Sequence, residues 1–301
     1  MNILNWLGAL PGAAAQGMIW GLMAIGVYIT YKILDIADLT VDGTLVTGGA
    51  VCAVLILSGW NVWPAMLVAF AAGAACGLLT GLFHTLMGIP PILSGILTQL
   101  ILWSVNLKIM GKSSQAITAT QYPVLVAMMK LLPSILIILA ITAALIAVLY
   151  WFFGTEIGCS LRATGSNARM SRAQGINTEL CKVLGLALSN GIVALSGALL
   201  AQYQGSANIN MGRGAIVVGL AAVIIGEALT SRFAKNFAAR LAGVVLGGIV
   251  YYFVYQTVIF LGLDTDLLKM LSAIVVAIFL AVPYWKRRYF SHPKRKGGAH
   301  R

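Results

Sequence analysis

Nine apolar runs dominate this chain, at residues 12–31, 41–58, 64–87, 91–108, 133–153, 182–202, 214–229, 240–260 and 267–285. A helix needs about 20 residues to cross the hydrocarbon of a bilayer. Most of the runs meet that length, whereas 41–58 and 214–229 fall short. The bilayer core offers no water to a backbone amide, so each such run must satisfy its own hydrogen bonds and fold as a helix. Only 9% of the 301 residues are charged, against roughly 25% in a soluble domain. The expected fold is an all-α integral membrane protein with about nine transmembrane helices, or eight to ten if the short runs re-enter.

The charged residues give the runs a direction. In a soluble protein a net charge of +12 would point to nucleic acid. Here the alternation of the runs puts fifteen Lys and Arg on one side and five on the other. The larger group includes Lys32, Arg162, Arg169, Arg172, Lys182, Arg232, Lys235, Arg240 and the seven basic residues of 286–301. Basic loops stay in the cytoplasm, which predicts the N-terminus outside and the C-terminus inside. The first residues lack the basic n-region of a cleaved leader, so the first run is expected to act as an uncleaved anchor. Cys52, Cys76, Cys159 and Cys181 form no C-x-x-C pair, which predicts neither a disulfide framework nor a metal site. The expected organisation is one permease domain over 1–290, with a polar segment at 158–177 and a basic cytoplasmic tail at 291–301. That tail reads as an anchor to anionic lipid headgroups.

The polar segment, GCSLRATGSNARMSRAQGIN, lies between two apolar runs on the basic side. Ser166 or Asn167 can cap a helix over residues 168–173, and Gly175 can end it. Arg169 and Arg172 stand three apart and share a face of that helix. A short charged helix held between two spans is suited to receiving a push from a soluble partner. The pattern G-x-x-x-R-A-x-G-x-N, then Arg, then G-I-N resembles the cytoplasmic coupling segment of bacterial ABC importer permeases that serve branched-chain amino acids, ribose and other small solutes. Arg162, Ala163, Gly165, Asn167, Gly175, Ile176 and Asn177 carry the likeness. Arg169 and Met170 depart from it, since the family usually has small residues there. The stretch GMIWGLMAIGVYITYKILDIADLTVDG is similar in spacing to the opening of those permeases, and the resemblance spans most of residues 17–230.

That resemblance implies a type II ABC importer permease fold, a homodimer, a separate ABC ATPase subunit and an extracytoplasmic solute-binding protein. On it, Arg162, Ala163, Gly165, Asn167, Arg169, Arg172 and Gly175 couple the chain to the ATPase. ATP and Mg would be used by that partner. This chain has no Walker motif and is expected to bind no cofactor; its GKSS at 111–114 lacks the earlier glycine, because Asn106 stands there. The I-x-D-L-T-V-D-G stretch at 36–43 is most similar to members associated with aromatic amino acids such as tryptophan or tyrosine.

The two short runs each follow a polar-apolar alternation ending in glycine, at 38–43 and 208–212. Their opposite entry is what broken helices in an inverted repeat produce, and such half-helices flank a transport path. Thr44, Thr47, Ser94, Thr98, Gln99, Asn190, Ser196 and Asn208 are the polar residues expected to line that path, with helix–helix hydrogen bonding as the competing role. Glycines at 73, 77 and 81 form a small-residue stripe for helix contact. Asp42 and Glu227 are the gating candidates. Asp35, Asp38 and Asp42 are expected together at the inner end of the first two spans, where capping and the helix dipole account for them. Glu227 is expected near the inner surface, paired with Arg232 or an arginine of the polar segment. A different class remains open, an ion-coupled secondary transporter using Glu227 or Asp42. No enzyme constellation emerges, and no metal cluster.

Overall fold

The computed structural model describes residues 3–117, 121–230 and 236–260, together with 270, 273, 274, 277, 278 and 281. The chain runs through α1 (Ile3–Tyr28), a π-helical extension (Ile29–Ile33), α2 (Val41–Leu57), α3 (Val62–Thr85), α4 (Pro91–Met110), β1 (Ser114–Ala116) and α5 (Leu131–Phe152). It continues with α6 (Glu156–Ser166), α7 (Ala168–Ala173), α8 (Thr178–Gln204), β2 (Ser206–Asn208), α9 (Ala215–Thr230) and α10 (Phe237–Phe260). Six of these helices are long and apolar enough to cross a membrane, and α2 and α9 are the shorter apolar ones. The ninth apolar run, the loop carrying Arg232 and Lys235, and the basic tail lie mostly or wholly outside the described residues.

α1 and α8 form the centre, with 83% of their most apolar windows buried, whereas only 17% of that window is buried in α5. α8 packs on α3, α2 and α1, and α1 packs on α10 and α9. Contact is backbone to backbone. A Cβ on Gly48 would sit 1.9 Å from the Ala194 carbonyl oxygen, and one on Gly197 would sit 2.0 Å from that of Leu45. Gly73, Gly77 and Gly81 of α3 lie against α8 in the same way, so the small-residue stripe marks that contact. Lipid gives little hydrophobic drive between helices, and close approach through glycine supplies the dispersion energy instead.

The helix ends gather at two poles. At one, β1 pairs antiparallel with β2, Ser114 opposite Asn208, Trp6 donates to Thr257, and Tyr203 donates to the Gly12 carbonyl. At the other, α6 lies beside the π-helical end of α1 with α7 next to it, and Lys182 meets His84. The two-stranded ribbon corrects the all-α expectation. Its strands are three residues each, too short for a period-2 pattern to register in sequence.

α2 does not begin where an inner-end position for Asp38 and Asp42 would require. Asp35 has φ +55°, a left-handed conformation that Asp tolerates better than most residues. It turns the chain back beside the bundle after the π-helical turn. Residues 36–40 then run inward with no regular structure. Thr44, in the first turn of α2, donates to Asn190, near the middle of the 27-residue α8. The inner-end expectation for Asp38 and Asp42 is therefore corrected. Both sit inside the bundle, because an irregular re-entrant stretch precedes α2.

Candidate functional site

The polar segment is built from three capped helices in succession. Thr155 accepts from Gly158 N, Asn167 from Met170 N at 3.1 Å, and Asn177 from Leu180 N at 3.1 Å. Asn167 is fully extended (φ −157°) and divides α6 from α7. α7 occupies the six residues that the capping pattern delimits, and Gly175, at φ +84°, ends the turn after it. Two arginines fasten the segment to its neighbours. Arg162 donates to the Phe153 carbonyl at the end of α5, and Arg172 to Thr178 Oγ1 at 3.0 Å. Ala163 accepts the last backbone bond of α6 from Asn167 N. Arg169 and Met170 are exposed on α7, with Met170 60% accessible. Their departure from small residues thus falls on the outward surface.

Gly165 sets how close the segment lies to the bundle. A Cβ there would stand 1.7 Å from the Ile33 carbonyl oxygen, so α6 rests its backbone on the π-helical end of α1. One residue before that carbonyl, Lys32 Nζ lies 3.0 Å from Glu227 Oε2 of α9. Among the described residues Lys32 is thus the partner of Glu227. The expectation of an arginine of the polar segment is corrected, and Arg232 lies outside the described residues. The side chains of the pair are 48% and 36% exposed, where solvent screening leaves an ion pair about 0–1 kcal/mol. Replacing Glu227 with Gln should therefore leave thermal unfolding and uptake close to wild type; loss of uptake would identify Glu227 as an ion-coupling group instead.

Most of the polar residues expected along a path meet inside the bundle. Asn190 donates to Asp38 Oδ2 at 2.7 Å and accepts from Thr44 at 2.8 Å. Thr40, Thr80 and Thr98 share hydroxyl hydrogen bonds at 2.8 and 2.9 Å. Ser196 donates to the Ile19 carbonyl, Ser94 to that of Pro91, and Thr47 to that of Gly43. All are buried, and their hydroxyls are used between or within helices. Asn208 lies half-buried in β2 and accepts from Asn210 N. Gln99 instead lines a cleft of about 320 Å³ together with Asp42, Gly43, Trp103, Asn106 and Arg213.

Asp42 joins the two short helices. Its Oδ2 accepts from Gly214 N at 3.0 Å and its Oδ1 from Ile216 N at 2.9 Å. A residue in the first turn of α2 thus caps the N-terminus of α9, where unpaired amides and the helix dipole favour an anion. Sequence reasoning missed Asp38 as the partner of Asn190, Lys32 as the partner of Glu227, and Trp103, Asn106 and Arg213 in the cleft. A carboxylate in the apolar stretch ILDIADL was the one available signal.

A family model described as branched-chain amino acid transport system / permease component matches residues 10–282. The chain belongs to this family. It is thus an ABC importer permease of that superfamily and a multi-pass membrane protein. The tyrosine transport system permease protein of Clostridioides difficile is 37% identical over 266 residues, covering 88% of each chain. An uncharacterized protein of Rickettsia prowazekii is 35% identical, covering 89% of this chain and 95% of its own length. The ribose import permease protein RbsC of Escherichia coli is 24% identical, covering 89% and 83%. Among solved structures, PsaBC from Streptococcus pneumoniae in complex with Fab aligns with TM-score 0.54 at 14% identity, over 96% of this permease and 99% of that chain. That likeness is one of fold alone.

Proposed function

We propose that this permease is the membrane-spanning subunit of an ATP-driven importer for an amino acid, aromatic ones favoured, and that two copies form the translocation path. The preference for an amino acid follows the 37% identity to a tyrosine permease against 24% to a ribose permease. A separate ATPase, which uses ATP and Mg, docks on 158–177, and a solute-binding protein docks at the opposite pole. In this reading 1–290 form one domain with nine crossings, in the inner membrane with the N-terminus outside and the C-terminus inside. The distribution of basic residues supports that orientation. α2 and α9 act as the broken helices of an inverted repeat, which is supported by their meeting at Asp42.

The observation that carries this reading is the seat of Gly165 on the Ile33 carbonyl. Movement of α6 and α7 is delivered to the end of α1 and, through the packing of α1 on α9, to α9, whose far end Asp42 holds to α2. ATPase closure has only to bias this connected set between two arrangements, by binding one better than the other. Co-purification and ATP-driven uptake test it. Gly165→Leu should cut uptake by about tenfold or more, because overpacking a tight contact typically costs about 1–3 kcal/mol and a tenfold change needs about 1.4. Arg169→Glu, on the exposed face, should weaken ATPase retention without changing the unfolding temperature. If both variants retain the ATPase and wild-type uptake, the coupling assignment is wrong.

A further inference from the structure

Among the described residues, one buried polar atom beside the junction of α2 and α9 is unsatisfied. Asn106 of α4 is only 1% exposed. Its amide nitrogen donates to the Gly43 carbonyl at 3.3 Å. That bond fixes the orientation of the amide, because the reversed group would set two oxygens against each other. Among the described residues Asn106 Oδ1 is then a buried acceptor with no donor. Buried acceptors are almost always paired, and this one belongs to the wall of the 320 Å³ cleft. None of the described residues supplies its donor, and a solute in the cleft can.

A second wall carries the opposite polarity. The Arg213 guanidinium lies over the Trp103 ring, 5.1 Å from its centroid. Among the described residues no carboxylate forms an ion pair with it. Asp42, in the same cleft, turns its oxygens to the amides of Gly214 and Ile216. A guanidinium resting on an indole keeps its edge donors for a planar, bidentate acceptor. Among the described residues the cleft therefore offers a cation with no carboxylate partner, an unpaired acceptor and the exposed side chains of Leu100 and Trp103. Its volume is at the small end of the roughly 300–1,000 Å³ typical of ligand pockets.

We infer that this cleft is the subsite for a zwitterionic amino acid. Arg213 takes the α-carboxylate, Asn106 Oδ1 takes the α-ammonium, and Trp103 and Leu100 carry an apolar or aromatic side chain. A neutral sugar leaves Arg213 unmatched, and a dicarboxylate brings a second negative charge towards Asp42. This rests on the amino-acid reading given above and assigns it to named atoms.

The test is uptake of radiolabelled L-tyrosine, L-tryptophan and ribose by cells producing the full chain with its ATPase and binding protein. Arg213→Gln should lower amino-acid uptake about tenfold or more, since it removes a charge-assisted bond to the solute. ATPase co-purification and unfolding temperature should stay unchanged. Arg213→Lys, which keeps the charge, should retain more uptake than Arg213→Gln, and Asn106→Leu should reduce it as well. If wild type imports an amino acid and Arg213→Gln imports it equally well, the subsite is overturned and the transport reading stands. If wild type imports ribose and neither amino acid, the substrate and the subsite fall together, while co-purification of the ATPase still supports an importer.

Discussion

Replacing Asn190 with leucine should lower stability by about 3 kcal/mol, the cost of leaving a buried carboxylate oxygen and its neighbours without partners. Asn190 is 0% exposed and Asp38 2%. The amide donates to Asp38 Oδ2 and to the Leu186 carbonyl, and accepts from Thr44. Leucine fits an apolar bundle and supplies none of these bonds. Thr44 retains a second acceptor in the Thr40 carbonyl, and Asp38 Oδ1 keeps the Thr40 amide, so the loss concentrates on Asp38 Oδ2. The same reasoning gives the sign of a double-mutant cycle. Asp38→Leu with Asn190→Leu should cost less than the two single losses added, because a stranded partner is worse than an absent pair. Tryptophan fluorescence during thermal unfolding in detergent reads both effects. Additive losses, or a stable Asn190→Leu variant, would show that the pair is not what fastens residues 36–40 to α8.

The sequence made the helices legible because each long apolar run has only one way to pair its backbone in lipid. It also made α7 legible, since Asn167 and Gly175 are local signals that act on their own neighbours. Depth was harder to read. Asp38 and Asp42 lie between a span and a short one or at the start of the latter, which describes an inner loop as well as it describes an irregular stretch that re-enters. Only the left-handed Asp35 and the distant Asn190 decide between them, and neither is visible in a window around 38–42. Residue type marks a polar residue within a span but does not distinguish a hydroxyl that joins two helices from one that faces a solute. Ser196 and Thr98 do the former. Arg213 looked like an ordinary outer-loop cation because its neighbour Trp103 lies on α4, 110 positions away. The arginines near Glu227 in sequence or topology are the partners a sequence suggests, whereas its lysine comes from the end of α1.

Asp42→Ala should abolish most transport, and Asp42→Asn should keep a substantial part of it. The carboxylate accepts two amides of the α9 N-terminus from another helix. In water, losing a cap costs about 0.5–2 kcal/mol because solvent replaces it. Inside a bundle surrounded by lipid, that replacement is poorer and an unpaired amide costs several kcal/mol. Alanine removes both bonds and frees α2 from α9, so any motion arriving through α9 no longer reaches the cleft. Asparagine retains a carbonyl acceptor and is itself a good capping residue, though its amide nitrogen faces a donor it cannot pair with. Uptake should therefore fall in the order wild type, Asp42→Asn, Asp42→Ala, with the unfolding temperature following the same order. An ion-coupled transporter gives another pattern. Neither replacement can hold a proton or a cation as a carboxylate does, so Asp42→Asn would be as inactive as Asp42→Ala while remaining the more stable of the two. Equal loss of uptake with unequal stability would thus make Asp42 an ion site, whereas parallel losses make it the tie that sets two half-helices moving as one.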